Sequence, residues 1–76
     1  MSKLKKTSGK ECIKILCNKF DFELIRQTGS HIILKKETPS GKVGTVVPNH
    51  TELKIGTLKK ILKLAQVNEE DFIKFQ

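Results

Sequence analysis

The chain is short and basic: 76 residues carry 15 Lys and Arg against 8 Asp and Glu, for a formal net charge of +7 at pH 7. With 37% hydrophobic and 30% charged residues, the composition is that of one folded domain and excludes a disordered tail. Because its apolar runs are only a few residues long, the chain is predicted to have neither a signal peptide nor a membrane-spanning helix. Its positive charge predicts a polyanionic or acidic partner rather than a membrane.

The first predicted element is an amphipathic helix. Residues 1–7 are predicted to form a flexible basic N-terminus, and a single domain is predicted over residues 8–76. Ser8 and Glu11 have the spacing of a capping box, so a helix begins here and runs to about Asn18. Its apolar residues recur at helical spacing: Cys12, Ile13, Leu16 and Phe20.

Three strands follow the helix. Residues 21–26, 30–36 and 42–48 are rich in strand-forming residues. They are separated by turn-forming segments at 27–29 and 37–41, which contain Gly and Pro. Short turns between consecutive strands predict a three-stranded antiparallel meander.

Two further helices close the chain. After a loop over 49–54, a helix begins within 55–58, and its apolar stripe is Leu58, Ile61, Leu62 and Ala65. Asn68 then caps a short last helix, whose Phe72, Ile73 and Phe75 are expected to close over the core. The predicted fold class is α+β, with the helices packed on one face of the sheet.

The two cysteines are predicted to be free. Cys12 and Cys17 are five residues apart on one helix, so their side chains point in different directions. Free thiols fit a reducing compartment, which predicts a cytoplasmic protein. Two histidines without a nearby third ligand do not make a zinc site, so no metal and no small-molecule cofactor are expected.

His31 is the strongest candidate for proton transfer. Strand alternation places it on the side of Ile33 and Lys35, opposite the apolar pair Ile32 and Leu34, and therefore away from the core. An imidazole has an ordinary pKa of about 6.5, so both its forms are populated near neutral pH. The alternative is a surface histidine without a role.

The residues around His31 suit a phosphate. Gly29 removes side-chain bulk from the approach, and Ser30 adds a hydroxyl. Arg26, Lys35 and Lys36 can contact phosphates, or they can be solvated charges at the rim of the sheet.

Further candidates lie after the third strand. His50 is either the acid partner of His31 or a residue that packs the loop. Thr57, Lys59 and Lys60 lie at the start of the second helix, where amide protons and ammonium groups suit phosphates along an RNA groove. Lysines on an exposed helix face also serve solubility alone.

Three of these stretches together resemble the HicA family of toxins. They are Gly29-Ser30-His31 after a strand ending in Arg26, Val46-Val47-Pro48 followed by His50, and Gly56-Thr57-Leu58 with Ile61-Leu62. The similarity spans roughly residues 8 to 75. It implies a fold like the double-stranded RNA-binding domain, cleavage of mRNA independently of the ribosome, and neutralisation by a HicB-type antitoxin. It also implies that His31 is the catalytic residue.

The chemistry of RNA cleavage is compatible with these residues. It requires a base for the ribose 2′-hydroxyl proton, an acid for the leaving oxygen, and cations for the phosphorane charge, and it does not require a metal. Two alternatives remain open at this point: a non-catalytic RNA-binding module of the same fold, and an interaction protein whose partner is an acidic protein.

Overall fold

A computed structural model describes residues 3–76 and confirms the predicted α+β class. The sheet has the order β1-β2-β3, and both strand pairs are antiparallel, as expected for a meander in a small fold like the double-stranded RNA-binding domain. The elements are α1 (Gly9–Lys19), β1 (Glu23–Thr28), β2 (His31–Thr38), β3 (Gly41–Pro48), α2 (Ile55–Ala65) and α3 (Glu69–Ile73).

Local capping fixes the helix starts. The Ser8 hydroxyl accepts a hydrogen bond from the Glu11 amide at 3.0 Å, so α1 begins where the capping box predicts. The Asn68 side chain accepts from the Glu70 amide at 2.8 Å and starts α3. By contrast, α2 begins after Lys54 without any side-chain cap.

The turns are tighter than predicted, β2 and β3 are each one residue longer, and β1 has the predicted length but lies two residues later in the chain. Both hairpins have two-residue loops, at 29–30 and 39–40, because Thr28 pairs with His31 and Thr38 pairs with Gly41. The predicted turn at 27–29 was therefore placed too early, and the one at 37–41 was too long. Thr and Glu residues beside a turn continue the ladder when their backbone groups find a partner.

The helices cover one face of the sheet. Thr45 is the buried polar residue of this layer, and its hydroxyl donates to the Ile61 carbonyl of α2 at 2.9 Å. Phe72 is fully buried as expected, but the prediction for Phe75 was wrong: it is 43% exposed and packs edge-on against Phe20. The largest fully buried side chains are Phe72, Leu16, Leu34, Leu53, Leu58, Leu62, Val47 and Cys12.

The segment before α1 contacts the domain at three places. Leu4 packs against the core, and the Lys5 backbone pairs with the Gln76 side chain through bonds of 3.0 and 2.8 Å. Thr7 forms a bridge with Leu53. Residues 1 and 2 lie outside the described part, so the flexibility of the N-terminus stays a prediction.

Within residues 3–76, no helix is long and apolar enough to cross a membrane.

Candidate active site

A tight loop presents His31 at one end of the sheet. Gly29 has φ +60°, whereas Ser30 does not lie in the positive-φ region, which is the pattern of a type II′ hairpin turn. The Gln27 side chain donates to the Gly29 carbonyl at 2.9 Å and supports the loop. His31 is thus the first residue of β2, directly after the turn.

His31 lies on the face of the sheet that the helices leave uncovered. Its backbone pairs with Thr28 on one side and Pro48 on the other, and its side chain is exposed. The next residue, Ile32, is only 6% exposed because it points to the core. We call the uncovered surface the open face. Its members at the His31 end are Arg26, Thr28, His31, Ile33, Val46 and Pro48, and those further along the strands are Glu23, Lys35, Glu37, Lys42 and Gly44.

A β-bulge places Arg26 on the open face. Leu24 pairs with the inward-pointing Leu34, and regular alternation would turn Arg26 inward as well. Instead the register shifts between Leu24 and Arg26, so that Ile25 is extra and Arg26 pairs with Ile33. Arg26 is therefore a diagonal neighbour of His31, at a typical Cα spacing of about 7–8 Å.

The two lysines of β2 differ in position. Lys35 is on the open face, four residues along the strand from His31, which corresponds to roughly 13 Å. Lys36 points to the other face, and its ammonium group lies 5.6 Å from the centre of the Phe22 ring. Of the pair, only Lys35 shares a surface with His31, and a substrate contact by Lys36 stays a prediction.

His50 and Thr57 line one shallow depression of about 290 Å³ beside the His31 end of the sheet. Pro48, which pairs with His31, lines the same depression. Its remaining lining residues, Glu52, Leu53 and Lys54, were not predicted. The loop is tied to the motif because the Asn49 amide donates to the Ser30 carbonyl at 2.6 Å.

The predicted lysines of α2 lie on a second depression. Lys59 and Lys60 line it together with Lys63, and its volume is about 350 Å³. All three side chains are exposed. Thr57 lies in the first turn of the same helix, so α2 contributes residues to both depressions.

The two cysteines and a third depression lie outside this arrangement. Burial raises the pKa of the Cys12 thiol to about 12, and it also raises that of Cys17. No group of three or more metal-ligating side chains occurs among the described residues. A depression of about 380 Å³ lies at the other end of the sheet, with mixed charge from Asp21, Glu23, Glu37, Lys35, Lys36 and Lys42.

Comparison with known families decides the relationship. The family model described as HicA toxin of bacterial toxin-antitoxin systems matches residues 9–67, which is most of the chain. The chain belongs to the HicA toxin family. Searches of curated proteins and of solved structures found no significant match.

The HicA match includes the whole candidate site. It extends from Gly9 at the start of α1 to Val67 just after α2, and so contains the Gly29–His31 loop, His50 and the α2 lysines. The sequence pattern did not indicate Thr28 and Asn49, because their roles arise from pairing across the sheet and from a backbone bond to Ser30.

Proposed function

We propose that this HicA toxin is a metal-independent endoribonuclease that cleaves mRNA with His31 as general acid or base. The observation that carries the proposal is the setting of His31. Its imidazole is exposed beside a tight loop and makes no hydrogen bond or ion pair within residues 3–76, so both ring nitrogens are free for substrate. Arg26 lies one row away on the same face.

The reaction follows from these groups. A base takes the proton from a ribose 2′-hydroxyl, the 2′-oxygen attacks the adjacent phosphorus, and an acid protonates the departing 5′-oxygen. The products are a 2′,3′-cyclic phosphate and a free 5′-hydroxyl. His31 performs one of the proton transfers, and the Arg26 guanidinium offsets the negative charge on the phosphorane.

The path of the RNA is proposed to run from His31 past His50 and Thr57 to the α2 lysines. The depression lined by His50 and Thr57 adjoins the strand pair of His31 and Pro48. Lys59 and Lys60 extend the positive surface and contact phosphates without reading bases. Gly29 and Ser30 leave space for a phosphate next to the imidazole, since no side chain occupies the position of Gly29.

A HicB-type antitoxin is the proposed protein partner. An acidic protein that covers His31 and the basic surface would neutralise the toxin and match its charge of +7. Val46, an apolar side chain on the open face close to the site, is 39% exposed and adds area for such a contact.

The test compares single-histidine variants of the purified toxin. His31→Ala is expected to lower the rate of RNA cleavage by about 10²- to 10⁴-fold, the usual contribution of a positioned acid or base. Folding is expected to be unchanged because the side chain is exposed. Cleavage is measured on a labelled RNA with and without chelator, and the thermal unfolding temperature serves as the control.

His50→Ala is the matched comparison, since it removes the second exposed imidazole. A similar loss of rate would assign the second proton transfer to His50, whereas a small loss would leave it a substrate contact. If His31→Ala cleaves as fast as the wild type, the catalytic role is wrong. If neither the wild type nor His31→Ala cleaves RNA but both bind it, the chain is a non-catalytic RNA-binding module.

A further inference from the structure

Gly9, the first residue of α1, makes an unusually close contact with the loop after β3. Gly9 is buried, and a methyl group at its Cα would overlap the Pro48 carbonyl oxygen. It would also lie 3.1 Å from the Asn49 Cα and 3.2 Å from the His50 nitrogen. All three neighbours are backbone atoms, so no side-chain rotation could relieve the overlap.

The backbone angles at position 9 do not require a glycine. Among the glycines, positive φ occurs at Gly29 and Gly41 but not at Gly9. An alanine could therefore adopt the same helical conformation, and its helix propensity is higher than that of glycine. The requirement at this position is space for the loop alone.

The loop that touches Gly9 is bonded to the His31 site. The Gly9 amide donates to the His50 carbonyl at 2.8 Å, and the Asn49 amide donates to the Ser30 carbonyl at 2.6 Å. Pro48, whose carbonyl the methyl group would meet, pairs with His31 across the sheet. Three consecutive residues, the last of β3 and the first two of the loop, thus connect the start of α1 to the Ser30-His31 segment.

We infer that Gly9 is a positioning residue for His31, acting through the backbone of residues 48–50. This inference rests on the proposed catalytic role of His31. Gly9 lets α1 approach the loop closely enough to donate to His50, which fixes Pro48 and Asn49 against the motif. Gly9 itself does not touch RNA in this scheme.

Gly9→Ala is expected to displace the loop by on the order of 1 Å and to lower kcat by about 10²-fold, the scale on which such misplacement acts. The affinity for RNA is expected to fall less than kcat, because the displaced loop carries His50 but Lys59 and Lys60 on α2 are untouched. A loss that falls mainly on kcat separates a positioning defect from a loss of substrate contacts.

The experiment combines kinetics with NMR spectra of the full chain. Gly9→Ala is expected to shift the amide signals of Ser30, His31 and Asn49. The matched control is Gly56→Ala, which adds the same methyl group to the first turn of α2, where no atom lies within 4 Å. The control is expected to leave the Ser30 and His31 signals in place.

The NMR readout does not depend on RNA cleavage. If the wild type is inactive, the proposed function fails, while the shifts still test the coupling. Unchanged Ser30 and His31 signals together with wild-type kcat in folded Gly9→Ala would overturn the inference.

A second variant covers the case in which Gly9→Ala does not fold. Asn49→Pro removes the amide proton donated to Ser30 and keeps the groups of the Gly9–His50 backbone bond. It is expected to lower kcat with little change in RNA affinity, and wild-type kcat in this folded variant would show that the loop does not position His31.

Discussion

At the scale of single residues, a separate physical property explains why each residue of the Gly29–His31 loop suits its position. Gly29 takes a φ of +60°, a region that costs an L-residue with a side chain roughly 1–2 kcal/mol. Ser30 contributes its carbonyl oxygen, which accepts from Asn49. His31 then starts a strand whose alternation keeps the imidazole in solvent, while Ile32 enters the core.

The thiols allow a residue-scale prediction that does not involve the site. Cys12 is fully buried, and its thiol has a pKa of about 12. Cys17 is partly exposed, so its thiol keeps more contact with water. Because the thiolate is the reactive form, Cys17 is expected to be alkylated first at pH 8, and Cys12 only after unfolding. Mass spectrometry after timed alkylation measures the order.

Raising the pH extends this test. The Cys12 thiol has a pKa of about 12 in the folded state, above the ordinary value of 9.0. Its contribution to the free energy of unfolding is therefore fully present below pH 9 and is lost progressively as the pH rises towards 12. Above pH 9, Cys12→Ala is therefore expected to lose less stability than the wild type. Equal alkylation rates for both thiols in the folded protein would contradict the burial of Cys12.

At the scale of elements, the bulge in β1 controls which side chains share a surface with His31. One extra residue, Ile25, reverses the alternation between Leu24 and Arg26. Leu24 can thereby point to the side of Leu34, while Arg26 and Thr28 lie beside Ile33 and His31.

Two single-residue deletions test the role of the bulge. Deleting Ile25 is expected to give a regular strand in which Arg26 still pairs with Ile33, so RNA binding is retained. Deleting Gln27 is expected to place Arg26 opposite Ile32, on the core side, and to weaken RNA binding because the guanidinium leaves the open face. Cross-strand NMR contacts report the register in both variants.

The deletions are matched because each shortens the same strand by one residue. Loss of the Arg26–Ile33 contact on deleting Ile25 would show that the bulge does not set the register in this way. Retained binding on deleting Gln27, with Arg26 facing the core, would remove Arg26 from the proposed substrate contacts.

At the scale of the whole molecule, the helices cover one face of the sheet and leave the other to a ligand. The buried layer joins α1 and α2 to the inner side of β2 and β3, and Thr45 bonds β3 to α2. Positive charge is not concentrated at His31 alone, since lysines also lie on α1 and α2. Under the proposed function, the position of each charge therefore decides whether it contacts RNA.

A pair of charge variants tests that statement through salt dependence. RNA affinity is expected to fall steeply with salt, because bound phosphates release counterions. Arg26→Gln is expected to reduce the slope of log K against log salt by about 0.7, the contribution of one phosphate contact on a single strand. Fluorescence anisotropy with a labelled RNA at several salt concentrations measures the slopes.

Lys14→Gln is the control, because it removes the same charge from an exposed position on α1, behind the sheet. It is expected to leave the slope close to that of the wild type. Equal effects of the two variants would mean that net charge, and not the open face, governs binding. A flat salt response of the wild type would argue against RNA as the ligand.

Local sequence patterns were enough to predict the order of the elements and the outward direction of His31. The Ser8 and Asn68 caps, the helical stripes and the alternation of β2 are set by neighbours within a few residues, so they can be predicted locally. Only the tertiary structure decided that Arg26 shares a face with His31, and that Gly9 and His50 are joined by a backbone bond. Register at a bulge and close backbone approaches depend on partners far along the chain, and no local pattern of side chains encodes them.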